Sequence, residues 1–268
     1  MGYGEDPVVG PFIGFFMAAE SHGSSDMVAH PVFTSGQEYH TCRIPALLAI
    51  PRAQQPDLVL AFAEGRVCGD GDHGEVHVLL RKSEDGGLTW GGLRVVADAA
   101  RLGIAAGSTV GNPCPIWDEQ RQCVVLLLTT NHGSDTELKI ISGVGHGTRE
   151  VWVMRSLDGA LCSSSWETPR NITKTVKADD WSWYATGPGA GIQLKSGRLV
   201  APCDHAEQRR GVSAVVAAAL HPAVPFMPIG QGLVLSSVRG LTNSVDGFGY
   251  SITPQLSLKA LPHLRSLN

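Results

Sequence analysis

The stretch SEDGGLTW, Ser83 to Trp90, constrains the fold of this chain more than any other feature. It follows the apolar run Val76 to Lys82 and packs two carboxylates, two glycines and a tryptophan into one short corner. Adjacent glycines allow the positive φ of a tight turn, and an aspartate can accept N–H bonds inside its own turn. A tryptophan needs apolar surface to cover it. The pattern recurs. Ser156-Leu157-Asp158-Gly159-Ala160 echoes Ser83-Glu84-Asp85-Gly86-Gly87, each after a strand-like run with a basic residue. Each is followed by a tryptophan, Trp90 and Trp166, the second delayed by three residues. Repetition of strand, turn and tryptophan is what stacked blades of one pattern produce.

The rest of the chain agrees with a β fold. Leu58 to Glu64, Val76 to Lys82, Cys123 to Thr130, Val151 to Ser156 and Gly197 to Cys203 read as short strands separated by Gly-, Pro-, Asp- and Asn-rich connections. No segment before residue 205 holds a helical period over three turns. An all-β sandwich, barrel or propeller follows. After His205 the Ala/Val-rich run "GVSAVVAAAL" reads as a helix followed by irregular chain, or as sequence unrelated to the preceding fold.

With 43% hydrophobic residues over 268, the chain can bury a sizeable core. A net charge of −4 gives no electrostatic case for a nucleic-acid partner. The six cysteines lack CxxC spacing, which argues against a zinc site built on them, and buried free thiols are the expectation. The apolar run Val8 to Ala19 is too short to span a bilayer, and Glu5 and Asp6 stand where a signal peptide carries basic residues. Asn171 opens an N-glycosylation triplet that matters only on the secretory route.

Ser83, Asp85, Gly87, Thr89 and Trp90 fit Ser-x-Asp-x-Gly-x-Thr-Trp, which resembles the Asp box (BNR repeat) of sialidases (neuraminidases) and some other propeller proteins. "YHTCRIPALLAI" resembles the Arg-Ile-Pro motif that opens the sialidase catalytic domain, and "FAEGRVCGDGDHGEVHVLLRKSEDGG" looks like the family's acid-bearing loop running into its first Asp box. "STVGNPCPIWD" and "WSWYATGPGAGIQLKSGRLVAPCDH" resemble the second and third blades of exo-α-sialidases. The resemblance covers residues 38–205. It implies an N-terminal extension over 1–37, sialidase-like blades over 38–205 and a divergent tail over 206–268. The implied fold is a six-bladed β-propeller, incomplete here with about three blades, since roughly 50 residues make one blade.

The resemblance also implies chemistry. Sialic acid carries a carboxylate at its anomeric carbon, and a planar guanidinium can hold that group bidentately. Arg43 matches the first of three family arginines, and Arg66 resembles one lying near the sugar ring. Asp72 matches the loop acid that protonates the departing glycosidic oxygen and then activates water, with Asp70 as runner-up. Asp204 and His205 fall where the family places side chains near the glycerol arm. Trp183 and Tyr184 are pocket wall or plain core. The expected reaction is hydrolysis of terminal sialic acid from glycoproteins, glycolipids or oligosaccharides, and a trans-sialidase would share this half. The compartment stays open, with a lysosomal, secreted or membrane-associated one favoured over the nucleus. No metal and no cofactor is expected. The family's tyrosine nucleophile, its partner glutamate and two further arginines have no match: Glu207 is the last glutamate, and Arg239, Tyr250 and Arg265 lie in no matching motif. The chain is therefore expected to be a truncated form whose activity is in question. The alternative is a non-catalytic sialic-acid-binding protein or Asp-box scaffold.

Overall fold

A computed structural model describes residues 30–158, 165–207 and 213–219, together with the strand pairs 15–16 and 236–237. The strands are β1 (Phe15–Phe16), β2 (His30–Pro31), β3 (Thr41–Ile50), β4 (Leu58–Arg66), β5 (Val76–Ser83), β6 (Arg94–Ala97), β7 (Thr109–Asp118) and β8 (Cys123–Asn131). They continue with β9 (Glu150–Ser156), β10 (Arg170–Asn171), β11 (Trp181–Thr186), β12 (Ile192–Gln193), β13 (Leu199–Glu207), β14 (Ser213–Ala219) and β15 (Ser236–Ser237). Among the described residues three single-turn helices, α1 (Ala99–Leu102), α2 (Glu137–Ile141) and α3 (Thr173–Val176), sit in the connections.

The strands run as antiparallel meanders in chain order. β3, β4, β5 and β6 pair in sequence, as do β7, β8, β9 and β10, and β11, β13, β14 and β15. Among the described residues a single parallel pair, Val76 with Thr109, joins the first two groups into an eight-stranded sheet. Their real union is by side-chain packing. Along β8, Val124, Leu126 and Leu128 join a core with Leu60, Phe62, Val78 and Leu80 of the first group. The alternate residues Cys123, Val125 and Leu127 join another with Tyr184, Leu199, Ala201 and Cys203 of the third. A strand buried on both faces has no polar side to show, which is why this segment reads as a continuous apolar run.

All five strand segments expected from the sequence are strands, each extended or shifted by a few residues. The Ala/Val-rich segment departs from the helical alternative: Ser213–Ala219 is a strand that pairs with β13 over seven registered residues. Ladder hydrogen bonds along that partner override the helix preference of alanine. Cys42, Cys114, Cys123 and Cys203 are free and buried, while Cys68 is free and exposed. No described helix is long and apolar enough to cross a membrane.

The corner at Ser83 is a closed hydrogen-bond knot. Asp85 accepts from the Ser83 hydroxyl at 2.7 Å, the Thr89 amide at 2.9 Å and the Thr89 hydroxyl at 2.5 Å. The Gly87 amide donates to Ser83 Oγ at 2.8 Å, and Gly86 and Gly87 carry the positive φ the turn needs. These bonds, from Thr89 above all, hold the Asp85 carboxyl well below the usual carboxylate range. Trp90 packs beside a core of Val32, Phe33, Cys42, Ala61, Ala63 and Leu79. In the second corner Ser156 Oγ donates to Asp158 at 2.8 Å, and Trp166 meets Phe62 edge to face.

Candidate active site

The site grows from the paired ends of β3 and β4, where Arg43 stands opposite Glu64 and Thr41 opposite Arg66. The pairing register shifts between Arg43 and Ala46, and Ile44 there takes a φ of 51°. A β-branched residue at positive φ is strained, and such strain persists where surrounding structure fixes it. Glu64 and Arg66, two apart on one strand, share a face. Arg66 is buried, 2% exposed, and donates to Glu64 Oε2 from Nη2 at 2.8 Å and from Nε at 3.2 Å.

The loop 67–75 folds back over these guanidinium groups. Arg66 Nη2 reaches Asp72 Oδ1 at 2.5 Å, and Arg43 Nη1 reaches the same oxygen at 3.4 Å. Asp70 takes part through its carbonyl, which accepts from Arg43 at 3.3 Å and from Arg66. Of the two loop aspartates it is thus the Asp72 carboxylate that faces the arginines, and it is exposed. The loop is pinned at its far end, where the Gly74 amide donates to the Gly133 carbonyl and Thr109 Oγ1 donates to the Gly74 carbonyl, both at 2.8 Å.

Behind this cluster lies a buried network. Glu64 Oε1 accepts the Asn112 amide at 2.8 Å, and Asn112 sits at φ 53° beside a second register shift, in β7. Its side-chain oxygen accepts from Thr129 at 3.1 Å and from Arg149. Arg149, 3% exposed, also donates to Thr129 Oγ1 at 3.0 Å and Asn131 Oδ1 at 2.5 Å, and lies 4.2 Å over the Trp183 ring. Burial pushes its guanidinium down to about 10. Trp183 Nε1 donates to Asp204 at 3.0 Å, and burial raises the Asp204 carboxyl although that bond and Arg149 oppose it.

The structure therefore brings Arg43, Arg66 and Asp72 into direct contact and ties Asp204 to them through Trp183, Arg149, Asn112 and Glu64. His205, next to Asp204 on β13, points to the other face and stacks on Trp181 with ring centroids 3.7 Å apart. Tyr184 is buried core with its phenol pushed upward by desolvation, and the Tyr39 hydroxyl bonds His77 Nδ1 at 3.0 Å. Glu64, within β4, and Arg149, just before β9, were missed because nothing in the residues around either one shows which distant partner it meets. Arg239, Tyr250 and Arg265 lie outside the described residues, and Glu207 is described in its backbone alone.

Comparison with known proteins identifies relatives. The profile of the BNR repeat-like domain family matches residues 57–221. An exo-alpha-sialidase of Aspergillus fumigatus is 31% identical over 196 residues, 67% of this chain and 45% of that protein. Human sialidase-3 is 36% identical over 167 residues, 60% of this chain and 36% of its own length. The chain spans less than half the length of these curated relatives. Among solved structures, a Hadza microbial sialidase superposes with a TM-score of 0.62 at 22% identity, covering 75% of this chain and 38% of that one. Trypanosoma rangeli sialidase gives 0.55 at 15% identity, covering 81% and 34%. The fold is thus that of sialidases.

Proposed function

This chain belongs to the sialidase family through its BNR repeat-like domain, and on that premise we propose that it recognises terminal sialic acid of glycoconjugates and assists cleavage of its glycosidic bond as an exo-α-sialidase. In this reading the three antiparallel meanders are blades of one propeller, and the ends of β3 and β4 form the mouth of its site. The observation that carries the proposal is the convergence of Arg43 and Arg66 on the Asp72 carboxylate.

Arg66, held by Glu64, is a rigid donor that needs no reorganisation when substrate enters. Arg43 is half-exposed and loosely bonded, so a sialic acid carboxylate would compete with Asp72 for its guanidinium. Asp72, once its loop carries the carboxyl off both guanidinium groups and it takes a proton from solvent, would give that proton to the departing glycosidic oxygen and later recover one from the attacking water. Both described tyrosines are otherwise engaged, so the covalent role is assigned to neither.

Two measurements on the full chain test this reading. Binding of a methyl α-sialoside, followed by ligand-observed NMR, is expected to weaken at least tenfold in Arg43→Ala. Turnover of a fluorogenic sialoside is expected to fall by about 10²-fold or more in Asp72→Asn while binding persists. Absence of sialoside binding, or turnover untouched by Asp72→Asn, would overturn it.

A further inference from the structure

Away from the arginines, a second cluster lies on the loop after β8. His132 and Asp135 are three residues apart, and His146 returns to them from beyond α2. The two imidazoles stack with centroids 4.1 Å apart. Asp135 is 1% exposed, yet it faces both rings from below the surface. Its Oδ1 lies 2.9 Å from His146 Nδ1, and its Oδ2 accepts the His146 amide at 2.6 Å. The loop is shaped around that carboxylate: a Cβ at Gly145 would come within 2.8 Å of Asp135 Oδ2. Asn131 Nδ2 clamps the base of the loop, donating to the carbonyls of His132 at 3.0 Å and Asp135 at 3.1 Å.

We propose that His132, Asp135 and His146 form a binding site for one divalent transition-metal ion of the zinc class. Two imidazole nitrogens and one carboxylate oxygen are the donor set this class prefers, with one position left for water or an incoming ligand. One potential ligand atom from each residue lies within 4.8 Å of the others. Tetrahedral bonds of about 2.0–2.1 Å place ligand atoms about 3.3 Å apart, so closure requires roughly 1.5 Å of side-chain movement. Both imidazoles are exposed and can make that movement by rotation, while the buried carboxylate supplies the fixed point. In the alternative, a hydrogen-bonded loop with no ion, His146 holds the carboxylate while His132 serves only Ser134, whose hydroxyl also reaches His146 Nδ1 at 3.3 Å. His132 meets Ser134 through its Nδ1 at 2.9 Å and has no bond to the carboxylate it overhangs.

The site is coupled to the acid loop. The Gly133 carbonyl between its ligands accepts the Gly74 amide, two residues from Asp72. A Cβ at Gly133 would overlap the Gly107 carbonyl oxygen at 1.9 Å, so this crossing is tight. An ion that fixes the loop therefore stiffens the anchor of Asp72.

The test is titration of the full chain with Zn²⁺ by calorimetry, and with Co²⁺ by visible absorption. One equivalent is expected, with the d–d bands of a nitrogen- and oxygen-ligated tetrahedral ion. His132→Gln and His146→Gln should each weaken binding at least about tenfold and abolish the Zn²⁺-dependent rise in Tm. Cys68→Ser, which removes the exposed thiol, should leave both unchanged. No uptake of either ion would overturn the proposal, as would binding that survives in the doubly substituted chain. Because both imidazoles are on the surface, unfolding of these variants is not expected, and circular dichroism checks it.

Discussion

Substituting Glu64 by glutamine changes one atom and tests whether the buried pair organises the site. Oε2 serves two N–H groups of Arg66, and Oε1 serves the Asn112 amide. A glutamine has one acceptor oxygen, so either orientation sets its NH₂ against a buried donor. Facing Asn112, it orphans a backbone amide, which costs about 1–3 kcal/mol. Facing Arg66, it leaves a cation without its main counter-charge, and breaking a buried pair in this way costs about 3–5 kcal/mol. Asp72 and the Asp70 carbonyl still accept from Arg66 and reduce that figure. An overall loss of about 3 kcal/mol is expected. For a folded region of this size, it lowers Tm by about 6–12 °C. Tryptophan fluorescence during heating or urea unfolding reads it, since Trp166 and Trp183 are both buried. The control replaces both partners, Glu64→Leu with Arg66→Met, and should lie closer to the unsubstituted chain than Glu64→Gln does. A Tm shift under about 2 °C in Glu64→Gln, or a double variant as damaged as the two singles summed, would refute the reasoning.

Two further outcomes follow from the same packing. Gly111→Ala would put a methyl 2.3 Å from Glu64 Oε1, so it should both destabilise the fold and weaken sialoside binding, read by thermal melt and NMR titration. Lys177 donates to the carbonyls of Arg149 and Ser182, and burial lowers its pKa from 10.5 to about 8. Its folded value lies below its unfolded one, so between those limits the unfolded chain holds more protons and this group's contribution to stability rises with pH. Urea midpoints between pH 8 and 9 should therefore rise more steeply in the unsubstituted chain than in Lys177→Met. Equal slopes would show that the ammonium is not desolvated.

Much of this protein is written locally. The knot at Ser83 forms from side chains and amides within seven positions of one another, so its residue types suffice to announce it. The strands are legible for a similar reason: burial on one or both faces of a pleated sheet leaves a mark every second residue or every residue. Arg43, Arg66 and Asp72 could be named because short motifs surround them and their distances from the turn are family-like. The alanine-rich strand Ser213–Ala219 could not be read, since the bonds that extend it come from neighbouring strands, β13 above all. Glu64 and Asn112 come from two different strands and Arg149 from the residue before a third, while His132 and His146 come from opposite ends of a loop. A charge in an apolar strand carries no local sign of its counter-charge. Turn chemistry and strand burial act over a few residues and so were settled by the sequence. The pairing of buried charges acts across strands, and only the tertiary structure decided which of them meet.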